Sequence, residues 1–260
     1  MRRLLVAAVM FGAVQGAEAA DLSDLPILRG AVTEGLSSAR VNWQGAYVGL
    51  QGGYGSSSMN LAGTNNPAIY NIQPLSGLTP DSYYGLGATS GTGSAFGGFA
   101  GYNWQFEDVV IGIDGSYLHG SFKGADSAPQ RSVGAANRYR SLTSAAVDLK
   151  DFASIRARAG YMMGNFLPYA TFGVGLGNAS VVSTATVFDT LSPAVASGTV
   201  RQDRFMYGYS AGFGVDVMLV SCLFLRAEYE YQRMTMTADH VSAPLDIGLN
   251  TVRAGLGYKF

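Results

Sequence analysis

No run of about 18 apolar residues occurs in the chain, so it holds no candidate membrane-spanning helix. Cysteine is nearly absent. Cys222 stands alone, which excludes an intramolecular disulfide framework and reads as a small apolar residue at the foot of a strand. Histidine occurs only as His119 and His240, on different segments with no cysteine nearby, so no metal set is assembled in the sequence. Charge is scarce and balanced: 13% of residues are charged, 17 Lys+Arg against 18 Asp+Glu, which offers no electrostatic capture of nucleic acid. No G-x-x-x-x-G-K-[ST] loop appears to cradle a phosphate. What the chain has instead is 48% hydrophobic residues, 35 glycines and 15 tyrosines among its 260 residues. Mean hydropathy is +0.15. Without a spanning helix, such a chain can satisfy its backbone amides in lipid only as a closed β-barrel.

The N-terminus reads as a leader. Arg2 and Arg3 precede an apolar core from Leu4 to Val14, and Ala17-Glu18-Ala19 is an A-x-A cleavage site. This predicts a cleaved signal peptide over 1–19, a periplasmic segment over 20–42 and a barrel domain over 43–260, exported to a bacterial outer membrane.

Period-two segments in the remaining chain predict eight strands, near 43–54, 95–105, 109–120, 151–162, 167–178, 204–217, 222–233 and 249–260, of a length suited to tilted membrane strands. Their connections alternate. Tight turns are expected at Phe106-Glu107-Asp108, Met163 to Phe166 and Met218 to Ser221, and long polar loops at 55–94, 121–150, 179–203 and 234–248. The fold class is therefore all-β: an eight-stranded antiparallel up-and-down transmembrane barrel with short periplasmic turns and long extracellular loops.

Two faces separate along these strands. One is apolar, with aromatics mainly at its ends. Trp104, Tyr161, Tyr258 and Phe260 fall at periplasmic ends, and Tyr54, Tyr117, Tyr207 and Tyr231 at outer ends, as two interfacial girdles require. The other face is rich in glycine and carries Asp114, Asp216, Glu228 and Glu230 opposite Arg156, Arg158, Arg226 and Arg253, with Lys259 lower down. A soluble lipocalin-like barrel would turn these faces the other way. The girdles and the glycines favour lipid outside and ions inside. Equal numbers of opposite charge predict a mutually neutralised network, because an unpaired charge in a narrow lumen is costly. Eight strands enclose a bore that side chains can fill, so a plug is expected rather than a wide pore.

Several runs carry a resemblance. Trp43-Gln44-Gly45-Ala46-Tyr47-Val48-Gly49, Gly101-Tyr102-Asn103-Trp104-Gln105, Ile155 to Tyr161, Leu167-Pro168-Tyr169 and Asp24 to Gly30 are together similar to the small alphaproteobacterial outer-membrane barrels, the surface-antigen and porin-family proteins of rhizobia and brucellae. Ala46, where that family often carries an aromatic, and the long first loop depart from the pattern. The final strand, with Leu256, Tyr258 and Phe260 alternating to the last residue, resembles the signal read by the barrel assembly machinery. The resemblance implies a structural, surface-exposed outer-membrane protein with no catalysis and no cofactor.

Three functional readings follow. The first is a structural barrel that contributes to envelope integrity and surface contacts. The second is a small non-specific diffusion channel. The third is a lipid A-modifying hydrolase: His119 and Ser121 stand two apart on an outward face, a spacing that resembles the His-x-Ser pair of the outer-membrane lipid A deacylases. No partner carboxylate is identifiable for that pair in the sequence, and Ser121 is expected where the strand gives way to loop. The expected partners are outer-membrane lipid and lipopolysaccharide, the assembly machinery, and a surface ligand of the 55–94 loop. That loop carries Tyr70, Leu75, Leu78, Tyr83 and Tyr84, which read either as a contact surface or as a cap over the barrel mouth.

Overall fold

The computed structural model describes residues 41–62, 64, 66–76, 85–133, 139–191, 195–236 and 245–260. The leader, the segment from Ala20 to Arg40, and Leu78, Tyr83, Tyr84 and His240 lie outside the described residues. Eight antiparallel strands pair in chain order into a closed barrel: β1 (Gly45–Asn60), β2 (Ala88–Phe106), β3 (Val109–Val133), β4 (Tyr139–Tyr161), β5 (Phe166–Asp189), β6 (Val195–Val220), β7 (Leu223–Met236) and β8 (Leu245–Lys259). The ring closes where β1 pairs with β8, from Tyr47↔Lys259 to Asn60↔Asp246. No helix among the described residues is long and apolar enough to cross a membrane.

One end of the barrel carries tight turns. Glu107-Asp108 joins β2 to β3, with Glu107 at φ 54°, a conformation unusual for a residue with a side chain. Gly164 supplies φ +62° for the turn closed by the Met163↔Phe166 bridge. Ser221-Cys222 joins β6 to β7.

At the other end the strands run well past their expected limits. The loops expected at 121–150 and 179–203 are mostly strand, because β3 continues to Val133, β4 begins at Tyr139, β5 reaches Asp189 and β6 begins at Val195. The cause is a bulge. On β4 the register moves from Asp151↔Asn178 to Leu149↔Ala179, which leaves Lys150 without an opposite residue. On the other side of β4, His119↔Asp151 is followed by Phe122↔Leu149. A slip of one residue exchanges the two faces of a strand. Below the bulge, Phe152, Ser154, Arg156 and Arg158 are buried inside; above it, Leu149, Val147 and Ala145 take their place. The outward face above the bulge is polar, with Lys123, Asp148, Thr184 and Thr199. A search for apolar residues pointing out therefore loses the strands at the level where apolar residues turn in.

The interior is built in layers. Nearest the tight turns lie Trp43, Tyr47, Phe99, Val110, Met162, Leu167, Met218 and Phe224. Ionic side chains come next. Above them an apolar layer includes Met59, Leu118, Phe122, Leu149, Phe152, Met206, Met234 and Leu249, with Phe122 and Phe152 edge to face at 5.6 Å.

The expected 55–94 loop also holds a helix, α1 (Asn66–Ser76), with Pro67 in its first turn, where a missing N–H costs nothing. Its Ala68, Ile69 and Ile72 bury against Ala185 and Val187 on the inward side of the β5–β6 extension, while Tyr70 is exposed. This part of the segment packs as a cap.

Candidate functional site in the barrel interior

All eight inward charges meet in the middle layer, and each is at least 97% buried. Strand alternation carries them there: Asp114 on β3, Arg156 and Arg158 on β4, Asp216 on β6, Arg226, Glu228 and Glu230 on β7, and Arg253 on β8 face one another across the bore. On the side of the tight turns, Asp216 accepts from Arg158 at 2.6 Å and from Arg226 Nε at 2.9 Å. Arg226 also reaches Asp114 at 2.8 Å. Arg156 pairs with Asp114, donates to Glu228 at 2.6 Å and lies 3.3 Å from Glu230. Arg253 pairs with Glu230 and donates to the Ser116 hydroxyl at 3.2 Å. Lys259 lies outside this set, with its ammonium 3.0 Å from the Gln44 carbonyl.

Uncharged partners complete the network. The Tyr47 hydroxyl donates to Asp114 at 2.8 Å and the Tyr169 hydroxyl to Glu228 at 2.9 Å. Ser210 and Gln232 both donate to Glu230. The Arg158 guanidinium lies 3.7 Å above the Tyr169 ring, and that of Arg226 lies 4.1 Å above Phe99. Sequence reading placed Tyr47 and Tyr169 in family-like motifs but not in the network. Their inward parity beside Asp114 and Glu228 was the available clue. Polar side chains of seven strands now hold one another, and β2 contributes a ring beneath Arg226.

The glycines on this face have a specific use. Tyr47 stands opposite Gly101, Phe99 opposite Gly49, Tyr169 opposite Gly214 and Phe224 opposite Gly257 in the register. A Cβ at any of these glycines would overlap the facing ring or hydroxyl. Each inward ring therefore lies across the bare backbone of its neighbour, which is how wide side chains fit into a narrow barrel.

The outer face is apolar from Leu50, Ile113 and Ile155 to Val174 and Val252, all exposed. Tyr54, Trp104, Tyr117, Tyr161, Tyr207, Tyr258 and Phe260 keep 41% or more of their surface open on this face. Tyr231 is half-buried against Tyr209. Leu256, Tyr258 and Phe260 share the outer face of the last strand, the two rings edge to face at 5.1 Å.

His119 and Ser121 belong to the outer face at the bulge, and Ser121 lies within β3 rather than at the start of a loop. Their carboxylate partners, invisible in the spacing, are separate. His119 Nδ1 is 2.7 Å from Asp151, which also accepts from Tyr117, whereas the Ser121 hydroxyl donates to Asp148 at 2.8 Å. The described residues contain no cluster able to hold a metal ion.

Comparison with known proteins agrees with this architecture. Residues 5–260 match the family model of the outer membrane protein beta-barrel domain. The 22 kDa outer membrane protein of Rhizobium leguminosarum bv. viciae is 29% identical over 170 residues, covering 64% of this chain and 66% of that protein. The 31 kDa outer-membrane immunogenic protein of Brucella melitensis is 27% identical over 225 residues, 84% of each chain. Among solved structures, the attachment invasion locus protein Ail of Yersinia pestis aligns with a TM-score of 0.33 at 14% identity, covering 84% of this chain and 99% of that one. With a family match over nearly its whole length and a closed eight-stranded ring, the chain belongs to the outer membrane β-barrel family and is an outer-membrane protein.

Proposed function

We propose that this protein is a non-conducting structural barrel that stiffens the outer membrane and presents its long hairpins at the cell surface, without catalysis. The observation that carries the reading is the filled bore: paired charges are stacked between two apolar layers, and α1 lies against the inner face of one hairpin. Ion passage would require breaking buried pairs and wetting apolar layers at both ends, each unfavourable by several kcal/mol. Against a hydrolase, the Ser121 hydroxyl is engaged by Asp148 and His119 by Asp151, so the two do not form a histidine–serine dyad.

In this reading the outer face meets lipid and lipopolysaccharide, Leu256, Tyr258 and Phe260 serve recognition by the assembly machinery, and the 55–94 segment bears any surface ligand. Planar-bilayer recording of the refolded protein tests the central claim. Only rare, brief current steps are expected. Large stable steps whose ion preference changes with Arg156→Gln or Glu228→Gln would establish the channel reading instead. An altered lipid A acyl pattern in cells overproducing the protein would revive the hydrolase.

A further inference from the structure

On the outside of β3–β6, at the level of the Lys150 bulge, a pocket with three cations in its wall neighbours an apolar groove. The pocket, of about 530 Å³, is lined by Lys123, Lys150 and Arg201, with Asp148, Ser180 and Val182 among its walls. Among the described residues none of the three cations has an ion-pair partner. Asp148 accepts from Ser121, and Asp151 from His119 and Tyr117. Asp203, two residues from Arg201 on the same face, does not line the pocket. Ser180 is 8% exposed and its hydroxyl has no hydrogen-bond partner among the described residues, so a buried polar group waits in the wall. The groove beneath, about 210 Å³, is lined by Tyr117, Ala153, Leu176 and Phe205, with Asp151, held by His119 and Tyr117, and Asn178 also in its lining, on the lipid-facing side within the outer aromatic girdle. From Leu176 to Ser180 along β5 is about 13 Å, so the two sites can be spanned by one amphiphile.

We propose that this face binds a phosphorylated glycolipid of the outer leaflet, its phosphate among Lys123, Lys150 and Arg201 and an acyl chain along Ala153, Leu176 and Phe205. Charge chooses the headgroup. The pocket wall carries three cations against the single carboxylate of Asp148: Lys123 from β3, Lys150 from the bulge of β4 and Arg201 from β6. A phosphate monoester matches this set and can accept from Ser180 as well. Its depth chooses the lipid, because the groove opens where the outer face changes from apolar to polar. The inference rests on the membrane orientation of the barrel and is independent of whether the bore conducts.

The test is native mass spectrometry of the folded full-length mature protein in detergent, titrated with bisphosphorylated lipid A, the same lipid dephosphorylated, or inorganic phosphate. The phosphorylated lipid is expected to be retained, and the dephosphorylated one at least about tenfold less. Lys123→Gln, Lys150→Gln and Arg201→Gln combined should weaken retention by a similar factor, while Arg233→Gln, on another part of the rim, should leave it unchanged. Heat-dependent gel mobility reports that each variant is folded. Equal binding of both lipids by the native protein would overturn the proposal without relying on any variant. So would undiminished binding by the folded triple variant, or retention of inorganic phosphate as strong as that of the lipid.

Discussion

Arg156 is the residue on which most of the buried charge converges. It faces Asp114, Glu228 and Glu230 with no water-exposed side chain among them. Arg156→Leu leaves three carboxylates sharing Arg226 and Arg253, and removing one partner of a buried pair typically costs about 3–5 kcal/mol. A lowered urea midpoint for the variant in detergent, by an amount equivalent to that loss, is the expected outcome. Unchanged stability would mean that water reaches the network. Gly257→Val poses the opposite problem. Its new methyl groups enter the space of the Phe224 ring, and overpacking costs roughly 1–3 kcal/mol even where neighbours can move. Gel mobility after refolding should show a smaller folded fraction, partly restored by Phe224→Leu. The charges were legible because alternate residues of a strand share a face, so Arg156, Arg158, Glu228 and Glu230 could be assigned inward by counting in twos. The ring-on-glycine pairs were not, because they depend on cross-strand register, which no single segment carries.

At the scale of elements, the informative misreading lies in β4. The outward series Ile155, Ala153 stops at Asp151, and the inward series Leu149, Val147, Ala145 continues on the same odd numbers. Either half reads as strand, but joined without the bulge they contradict each other, so the upper half looks like loop. Helix α1 was hidden for a different reason. Its apolar side is only Ala68, Ile69 and Ile72, too short a stripe to stand out among Asn, Ser and Gly. Carboxylates at two of these sites should detach it. Ile69→Asp combined with Ile72→Asp is expected to speed proteolytic cutting between Leu61 and Gly87 severalfold while the barrel keeps its folded mobility. Resistance equal to the native protein would show that α1 is held by something other than this contact. The upper apolar layer is tested by Phe122→Ala and Phe152→Ala, each expected to cost about 3–5 kcal/mol, and their combination should cost less than the sum because the rings touch.

As a whole, the molecule obeys two solvents at once. From Asp151 to Tyr161 the strand has about 11 residues, which at a tilt near 45° spans about 26 Å, the height of a hydrocarbon band. Over that height the barrel is greasy outside and ionic within. Beyond the bulge it becomes an ordinary water-facing barrel with a greasy interior. Removing α1 by joining Leu61 to Gly87 through a short Gly-Ser turn should therefore leave planar-bilayer currents as low as in the native protein, because two sealing layers remain. Steady conductance in that variant alone would make the helix the gate.

The ionic belt also constrains how the barrel can be born. Its partners are divided across the closing seam: Arg226 of β7 answers Asp114 of β3, and Arg253 of β8 donates to Ser116 of β3. Until the first and last strands zip together, that belt has no enclosure, and an open sheet lying flat in hydrocarbon would strand four guanidinium groups in oil. The nascent ribbon must therefore curl around a wet interior and expel its last water only as the seam closes.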